Sequence, residues 1–156
     1  MSLKKLSNFE ICSLNSIIEA LLPLIQTEAT SAAVSVILDL EAIPKLLLDE
    51  NEIHQLLLKS VRNSIEAMPA GGRLVIKTRH ETGKVILSVS DQGPGIPTHI
   101  LSNLGTPFIT SKNTGTGLGI PICYQIAHRH NATIKIDTSA AGTTFLVYFN
   151  PQQQKR

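Results

Sequence analysis

The stretch "SVSDQGPGIP", Ser88 to Pro97, ends an apolar, β-branched run on a carboxylate and then places Gly93 and Gly95 close behind it. An ionised carboxylate only accepts hydrogen bonds. Asp91 can therefore take the hydrogens of an exocyclic amino group such as adenine's, and would repel the carbonyl oxygen that guanine carries there. Gly93 and Gly95 let backbone pass close to such a ligand, and Ile96 offers an apolar wall for a ring. An aspartate before Gln-Gly-Pro-Gly is equally a turn signal, and the sequence alone leaves both readings open.

Other segments carry complementary chemistry. In "TGTGLGI", Thr114 to Ile120, alternating glycines run directly into a helical pattern. Unobstructed amides at a helix start favour anions such as phosphates, although a flexible loop would look the same. The segment lacks the GK[ST] of a P-loop and the spacing of a dinucleotide fingerprint. In "TPFITSK", Thr106 to Lys112, Phe108 needs an apolar dock and Lys112 suits a phosphate; a simple hydrophobic anchor beside a solvated lysine is the alternative. Asn63 sits mid-helix, where asparagine gains little unless it binds something, and its side-chain oxygen is a hard ligand suited to magnesium. In "AAGTTF", Gly142 permits a tight turn and Thr143 opens a strand, which also fits a plain Ser/Thr turn.

These residues need elements to position them. "FEICSL" reads as a short edge strand and "NSIIEALLPLIQTEATSA" as a helix. Ser16 and Glu19 there have capping-box spacing, Ile17, Leu21, Leu24 and Ile25 form an apolar face, and Pro23 marks a kink. Val34 to Leu40 is a strand, followed by a turn and a short link. A second helix runs from Glu50 to about Met68, with Ile53, Leu57, Val61, Ser64, Ile65 and Met68 on its buried face. Lys59, Asn63 and Glu66 fall opposite, with Arg62 at the border. "RLVIKTRH" and "KVILSVSD" form a hairpin through "ETG". The aperiodic stretch from Gly93 to Gly117 has the length and composition of a functional lid. A third helix spans about Leu118 to Arg129, and "TIKIDTS", "AAG" and "TTFLVYFN" close the chain as another hairpin. This order predicts an α+β fold, a mixed, mostly antiparallel sheet with helices on one face, and excludes the repeated crossovers of a dinucleotide-binding sheet.

Composition narrows the function class. The chain has 156 residues, enough for one domain, with 42% hydrophobic and 17% charged residues. A net charge of +2 without long basic runs does not suggest nucleic acid. No apolar run has the length of a membrane span and no signal peptide is visible, so a cytoplasmic location without membrane contact through this segment is expected, with membrane anchoring of a longer parent protein left open. Cys12 and Cys123 lie in no paired motif and read as small, buried, reduced side chains.

Taken together, Asn63 in its helix, "DQGPGI" after the hairpin, "PFITSK", "GTGLGI" opening the third helix and "GTTF" in the last hairpin resemble the ATP-binding catalytic domain of bacterial sensor histidine kinases. That superfamily also contains gyrase, the MutL repair ATPases and a heat-shock chaperone. "NSIEAMPAGGRLVI" and "PFITSKNTGTGLGI" look most like the sporulation-kinase and nitrogen-regulator type. The resemblance implies a two-layer α/β sandwich of the Bergerat type with a mobile ATP lid over residues 9–150. Residues 1–8 would be a tail or the end of a linker from dimerisation helices, and residues 151–156 a tail. By the resemblance, Asp91 bonds the adenine amino group and Thr143 helps through water. Gly93, Gly95 and Ile96 match the first glycine box, and Phe108 and Lys112 the phenylalanine box with its lysine. Gly115, Thr116, Gly117, Leu118 and Gly119 match the box that embraces the triphosphate. Asn63 matches the magnesium-holding asparagine and, with Lys112, is the implied catalytic pair; Ala67 lies near the base. The implied cofactors are ATP and magnesium. The implied partners are a phosphoacceptor histidine domain, in the same longer chain or a dimer mate, and a downstream response regulator.

Two departures stand out. Lys59 occupies the place, one turn before Asn63, where the family usually has a second asparagine and related ATPases an acid that activates water; weak ATP hydrolysis is the expectation. Asn131 and Ala132 replace the usual glycine pair after His130, and asparagine tolerates a left-handed turn. None of His54, His80, His99, His128 and His130 has the context of a phosphoacceptor, so the acceptor is expected outside this sequence. A nucleotide-binding regulatory domain or pseudokinase without transfer, and a serine kinase of the anti-sigma-factor type, are the rival readings.

Overall fold

The computed structural model describes residues 8–68, 70–92, 119–139 and 142–151. Among these the chain runs β1 (Phe9–Cys12), α1 (Leu14–Ser31), β2 (Ser35–Leu40), β3 (Leu46–Asp49), α2 (Glu50–Ala67), β4 (Arg73–Glu81), β5 (Lys84–Ser90), α3 (Gly119–Arg129), β6 (Thr133–Ser139) and β7 (Gly142–Phe149). The main sheet is 5-stranded in the order β2-β4-β5-β7-β6. Only β2 and β4 pair parallel; the other neighbours are antiparallel. This is the mixed α+β arrangement that the sequence implies.

Alternation along the strands decides which face is covered. Leu74, Ile76, Val85, Leu87, Val89, Ile134, Phe145, Val147 and Phe149 are buried against the helices. Their neighbours Val75, Lys77, Ile86 and Tyr148 are only half-buried on the more open face. The expected α2 face is buried throughout, from Ile53 to Met68, and Leu56 and Ser60 extend it toward α3. Each buried leucine or isoleucine of this face contributes about 1.5–3 kcal/mol.

The first helix departs from expectation. Its N-cap is Ser13, whose side chain accepts the Ser16 amide at 3.1 Å; Ser16 and Glu19 therefore form no capping box. Leu14 is wholly buried, which starts the helix early and rotates its apolar face. Ile17, Leu21 and Ile25 stay inside, whereas Leu24 is 44% exposed and Ile18 and Ala29 are buried instead. The helix passes through Pro23, whose carbonyl accepts the Thr27 hydroxyl at 3.0 Å.

The supposed link after β2 also contains a strand. β3 pairs antiparallel with β1 as a separate two-stranded ribbon, and its Leu46 and Leu48 are buried. The β4–β5 hairpin is tighter than expected, since Glu81 still pairs with Lys84 and only Thr82 and Gly83 turn, both at positive φ. Asn131 has φ 55, so it takes the left-handed turn expected of it. Cys123 is buried, and burial pushes its thiol up to about 12. Cys12, expected to be buried, is half-buried instead because it lies on the β1–β3 ribbon beside solvent. No described helix is long and apolar enough to cross a membrane.

Candidate functional site

The antiparallel sheet brings the C-terminal end of β5 beside the start of β7. Val89 faces Phe145, and Phe145 faces Ile136 on β6, all on the helix-covered side. Two residues further along each strand, the same side carries Asp91, Thr143 and Thr138. Apolar core gives way there to one carboxylate and two hydroxyls.

Asp91 is clasped at that edge. Its amide donates to the Thr143 carbonyl at 2.8 Å, and the Thr143 amide donates to Asp91 Oδ1 at 3.2 Å. The carboxylate lies 52 residues from its partner in sequence, so the sheet makes this contact and no local turn does. Gly142 has φ +150 and permits the approach: a β-carbon on it would collide with the carbonyl oxygen of Asp91. Gln92 is tied back as well, its Oε1 accepting the Arg73 amide at 2.9 Å. Thr143 Oγ1 lies 2.8 Å from Thr138 Oγ1.

The helices complete the corner. Arg129 of α3 pairs with Glu52 of α2, and the Cys123 thiol donates to the Leu56 carbonyl at 3.6 Å, so the two helices run antiparallel. Continuing that register sets Gly119, the first residue of α3, alongside the Ser60–Asn63 turn. The turn after α2 leads straight into β4, whose start lies beside the end of β5. The C-terminal half of α2, the N-terminus of α3 and the ends of β5, β6 and β7 therefore share one end of the molecule. At the opposite end, His130 locks the helices together. Its Nδ1–H donates to the Ile126 carbonyl at 2.8 Å, and its Nε2 accepts the Asp49 amide at 3.1 Å.

Glu66, placed opposite the buried stripe by helical spacing, is exposed, but Lys59 and Asn63 are not. Both are half-buried on the flank that turns toward α3. The charge of Lys59 is felt at the Cys123 thiol. Arg62 is engaged instead with Glu28 of α1, at 2.7 Å. Asn63 Nδ2 is shut off from solvent with no hydrogen-bond partner among the described residues. An unmet buried donor costs about 1–3 kcal/mol, so the position favours a ligand that accepts from it. Ala67 ends α2, half-buried, one turn further on.

Of the residues singled out in the sequence, Asp91 and Thr143 are in direct contact, Asn63 and Ala67 share a flank of α2, and Gly119 opens α3. Gly93, Gly95, Ile96, Phe108, Lys112, Gly115, Thr116, Gly117 and Leu118 lie outside the described residues, as does the lid they were expected to form. Sequence reasoning passed over Thr138 and Gln92. Thr138 could have been found from the register of the last hairpin, which sets it opposite Thr143; Gln92 carries no such signal.

Comparison with known proteins gives a consistent result. Residues 48–153 match the family model described as histidine kinase-, DNA gyrase B-, and HSP90-like ATPase. Sporulation kinase C of Bacillus subtilis is 34% identical over 142 residues, 89% of this chain but 33% of that protein. The sensory histidine kinase/phosphatase NtrB of Escherichia coli O157:H7 is 32% identical over 118 residues, 69% of this chain and 34% of that protein. The chain thus spans about a third of the length of these relatives. The catalytic domain of histidine kinase ThkA superposes with a TM-score of 0.83 at 27% identity, covering 92% of this chain and 96% of that one. ThkA in complex with the response regulator protein TrrA superposes at 0.80 and 25% identity, over 95% of this chain and 43% of that one. The chain belongs to the family of histidine kinase-, DNA gyrase B- and HSP90-like ATPases and is, within it, a catalytic domain of the histidine-kinase type.

Proposed function

We propose that this domain holds magnesium ATP and passes the γ-phosphate to a histidine on a separate phosphoacceptor domain, as the catalytic part of a sensor kinase. The observation that carries the reading is the Asp91–Thr143 clasp at the polar end of an otherwise apolar sheet face. The backbone of Thr143 fixes the carboxylate, so it can accept an adenine amino hydrogen without first becoming ordered.

The remaining roles follow from placement and resemblance. Asn63 offers magnesium a neutral oxygen from the flank of α2. No group of three or more His, Cys, Asp or Glu gathers among the described residues, so a cation here would draw most of its oxygens from phosphates and water, which is how magnesium prefers to bind. Magnesium held there would offset the charge of the phosphates. Ala67 would lie near the base, with Gly93, Gly95 and Ile96 along it. Phe108, Lys112, Gly115, Thr116, Gly117, Leu118 and Gly119 would hold the triphosphate. The amides at the start of α3 and Lys112 would take up charge as the γ-phosphorus–oxygen bond breaks, a histidine nitrogen forms the new bond to phosphorus and ADP departs. The incoming histidine would belong to another domain, since no histidine of this sequence has the context of a phosphoacceptor and His130 is buried and committed to the fold. A response regulator would receive the phosphoryl group next, in keeping with the ThkA complex.

A titration of the protein with ATP and magnesium, repeated for Asp91→Asn, tests the reading. Wild type should bind, and the variant should lose about tenfold or more of its affinity together with its preference over GTP. Unchanged affinity in the variant would overturn the role of Asp91. The place of Lys59, half-buried one turn from Asn63, favours a second reading in which nucleotide binds but nothing is transferred. Phosphotransfer from ATP to the phosphoacceptor domain of the parent chain separates the two. Transfer by wild type supports the kinase, whereas transfer gained only by Lys59→Asn supports the regulatory domain.

A further inference from the structure

We propose that Thr138 is a positioning residue for the nucleotide base, acting through the hydroxyl of Thr143; the proposal rests on the ATP-binding reading above. Thr138 lies in none of the motifs that mark the site. It is paired with Thr143 across the last hairpin, and their hydroxyl oxygens are 2.8 Å apart. Both residues are half-buried, and both continue the helix-facing rows, Ile134 and Ile136 on one strand and Phe145 and Val147 on the other.

The backbone of Thr143 is fixed by its two bonds with Asp91, at 2.8 and 3.2 Å. What remains adjustable is its side chain. A threonine can exchange hydroxyl for methyl by rotating about χ1, at little cost on an otherwise featureless surface. The bond to Thr138 selects the rotamer that holds Oγ1 on the β6 side of Thr143, across β7 from Asp91. It also constrains the proton. Either hydroxyl can donate at this distance; with Thr138 as the donor, Thr143 accepts, and its own hydroxyl hydrogen is directed away from Thr138 toward the space a base would fill.

With that bond direction the corner presents an acceptor, the Asp91 carboxylate, and, across the start of β7, a donor, the Thr143 hydroxyl. Adenine shows the complement, an amino donor beside a ring-nitrogen acceptor. Guanine shows the reverse, a carbonyl acceptor beside a ring N–H. Thr138 thus sharpens the preference for adenine by holding the second member of that pair in its donor orientation, whether it meets the ring directly or through a water.

Titrations with ATP and with GTP, alongside thermal unfolding, on wild type, Thr138→Val and Thr138→Ser test this. Valine keeps the shape and removes the hydroxyl; serine keeps the hydroxyl. Thr138→Val should lose about fivefold in ATP affinity, with GTP affinity unchanged, and Thr138→Ser should bind ATP as wild type does. Should Thr138→Val not fold, Thr138→Ala carries the same comparison. An unchanged ATP-to-GTP ratio in the hydroxyl-free variant overturns the proposal and leaves the ATP reading intact. Equal losses in the serine and valine variants overturn it too, since packing would then be the cause. A wild type that binds no ATP overturns both.

Discussion

A β-carbon on Gly142 would run into the carbonyl oxygen of Asp91 and stand 3.1 Å from both Asp91 C and Gln92 Cα. The residue is a glycine because two backbones meet there, and what they bring together is the carboxylate and its clasp. Gly142→Ala should therefore cost about 2 kcal/mol of stability, from the strained φ and the enforced separation of the strand ends. It should also weaken ATP binding well beyond what that stability loss accounts for, because Asp91 loses both of its bonds to Thr143. Denaturant unfolding and calorimetry on the one variant check both effects. Normal ATP affinity in a destabilised variant would show that Asp91 keeps its place without the clasp. At this scale the sequence was informative about identity and poor on surroundings. The motif letters around Asp91, Thr143 and Asn63 were readable. The half-buried setting of Lys59 and Asn63 was not, because helical spacing separates faces but does not say which neighbour covers each one.

Elements were legible where one face alone decided them. The α2 stripe and the strands of the two hairpins follow from period and alternation, and only the β4–β5 turn is tighter than read. β3 was missed because "LLLD" neither alternates nor runs long enough to declare itself; it is a strand because β1 pairs with it. The cap of α1 was misplaced because Ser13 and Ser16 are locally equivalent candidates, and the burial of Leu14 chooses between them. The β4–β5 turn makes an element-scale prediction. Thr82 has φ 48 ahead of Gly83 at φ 75, a two-residue turn that favours Asn-Gly. A β-branched residue is strained in that region, and Thr82 is exposed with nothing to gain from its methyl group. Thr82→Asn should raise stability by about 1 kcal/mol with ATP affinity unaltered, since the turn lies at the far end of β5 from Asp91. A fall in the denaturation midpoint would contradict this account of the turn.

Across the whole molecule, one buried side chain ties the ribbon, two helices and the sheet together at the end remote from Asp91. His130 is 1% exposed and sits between the rings of Phe9 on β1 and Phe149 on β7. Its Nδ1–H is spent on Ile126, and its Nε2 must stay unprotonated to accept the Asp49 amide that begins α2. Among the described residues, the charged groups facing it include Glu52 and Asp49 on the α2 side and Arg129 on α3. Burial outweighs the two acids and holds its pKa below the ordinary value of 6.5. As pH falls through the ordinary value, the unfolded chain takes up a proton that the folded chain refuses, so stability declines below about pH 6.5 and levels off once the folded form also protonates. Above that range the contribution is complete and stability is flat with respect to this group. The measurement is denaturant unfolding at pH 7.5 and at stepwise lower pH, for wild type and for His130→Gln, which can keep an acceptor toward Asp49 but does not titrate. Wild type should lose stability more steeply than the variant as the solution is acidified from neutrality. Parallel curves would mean that the imidazole accepts its proton inside the fold, and that the latch between α3 and the start of α2 does not depend on a neutral His130.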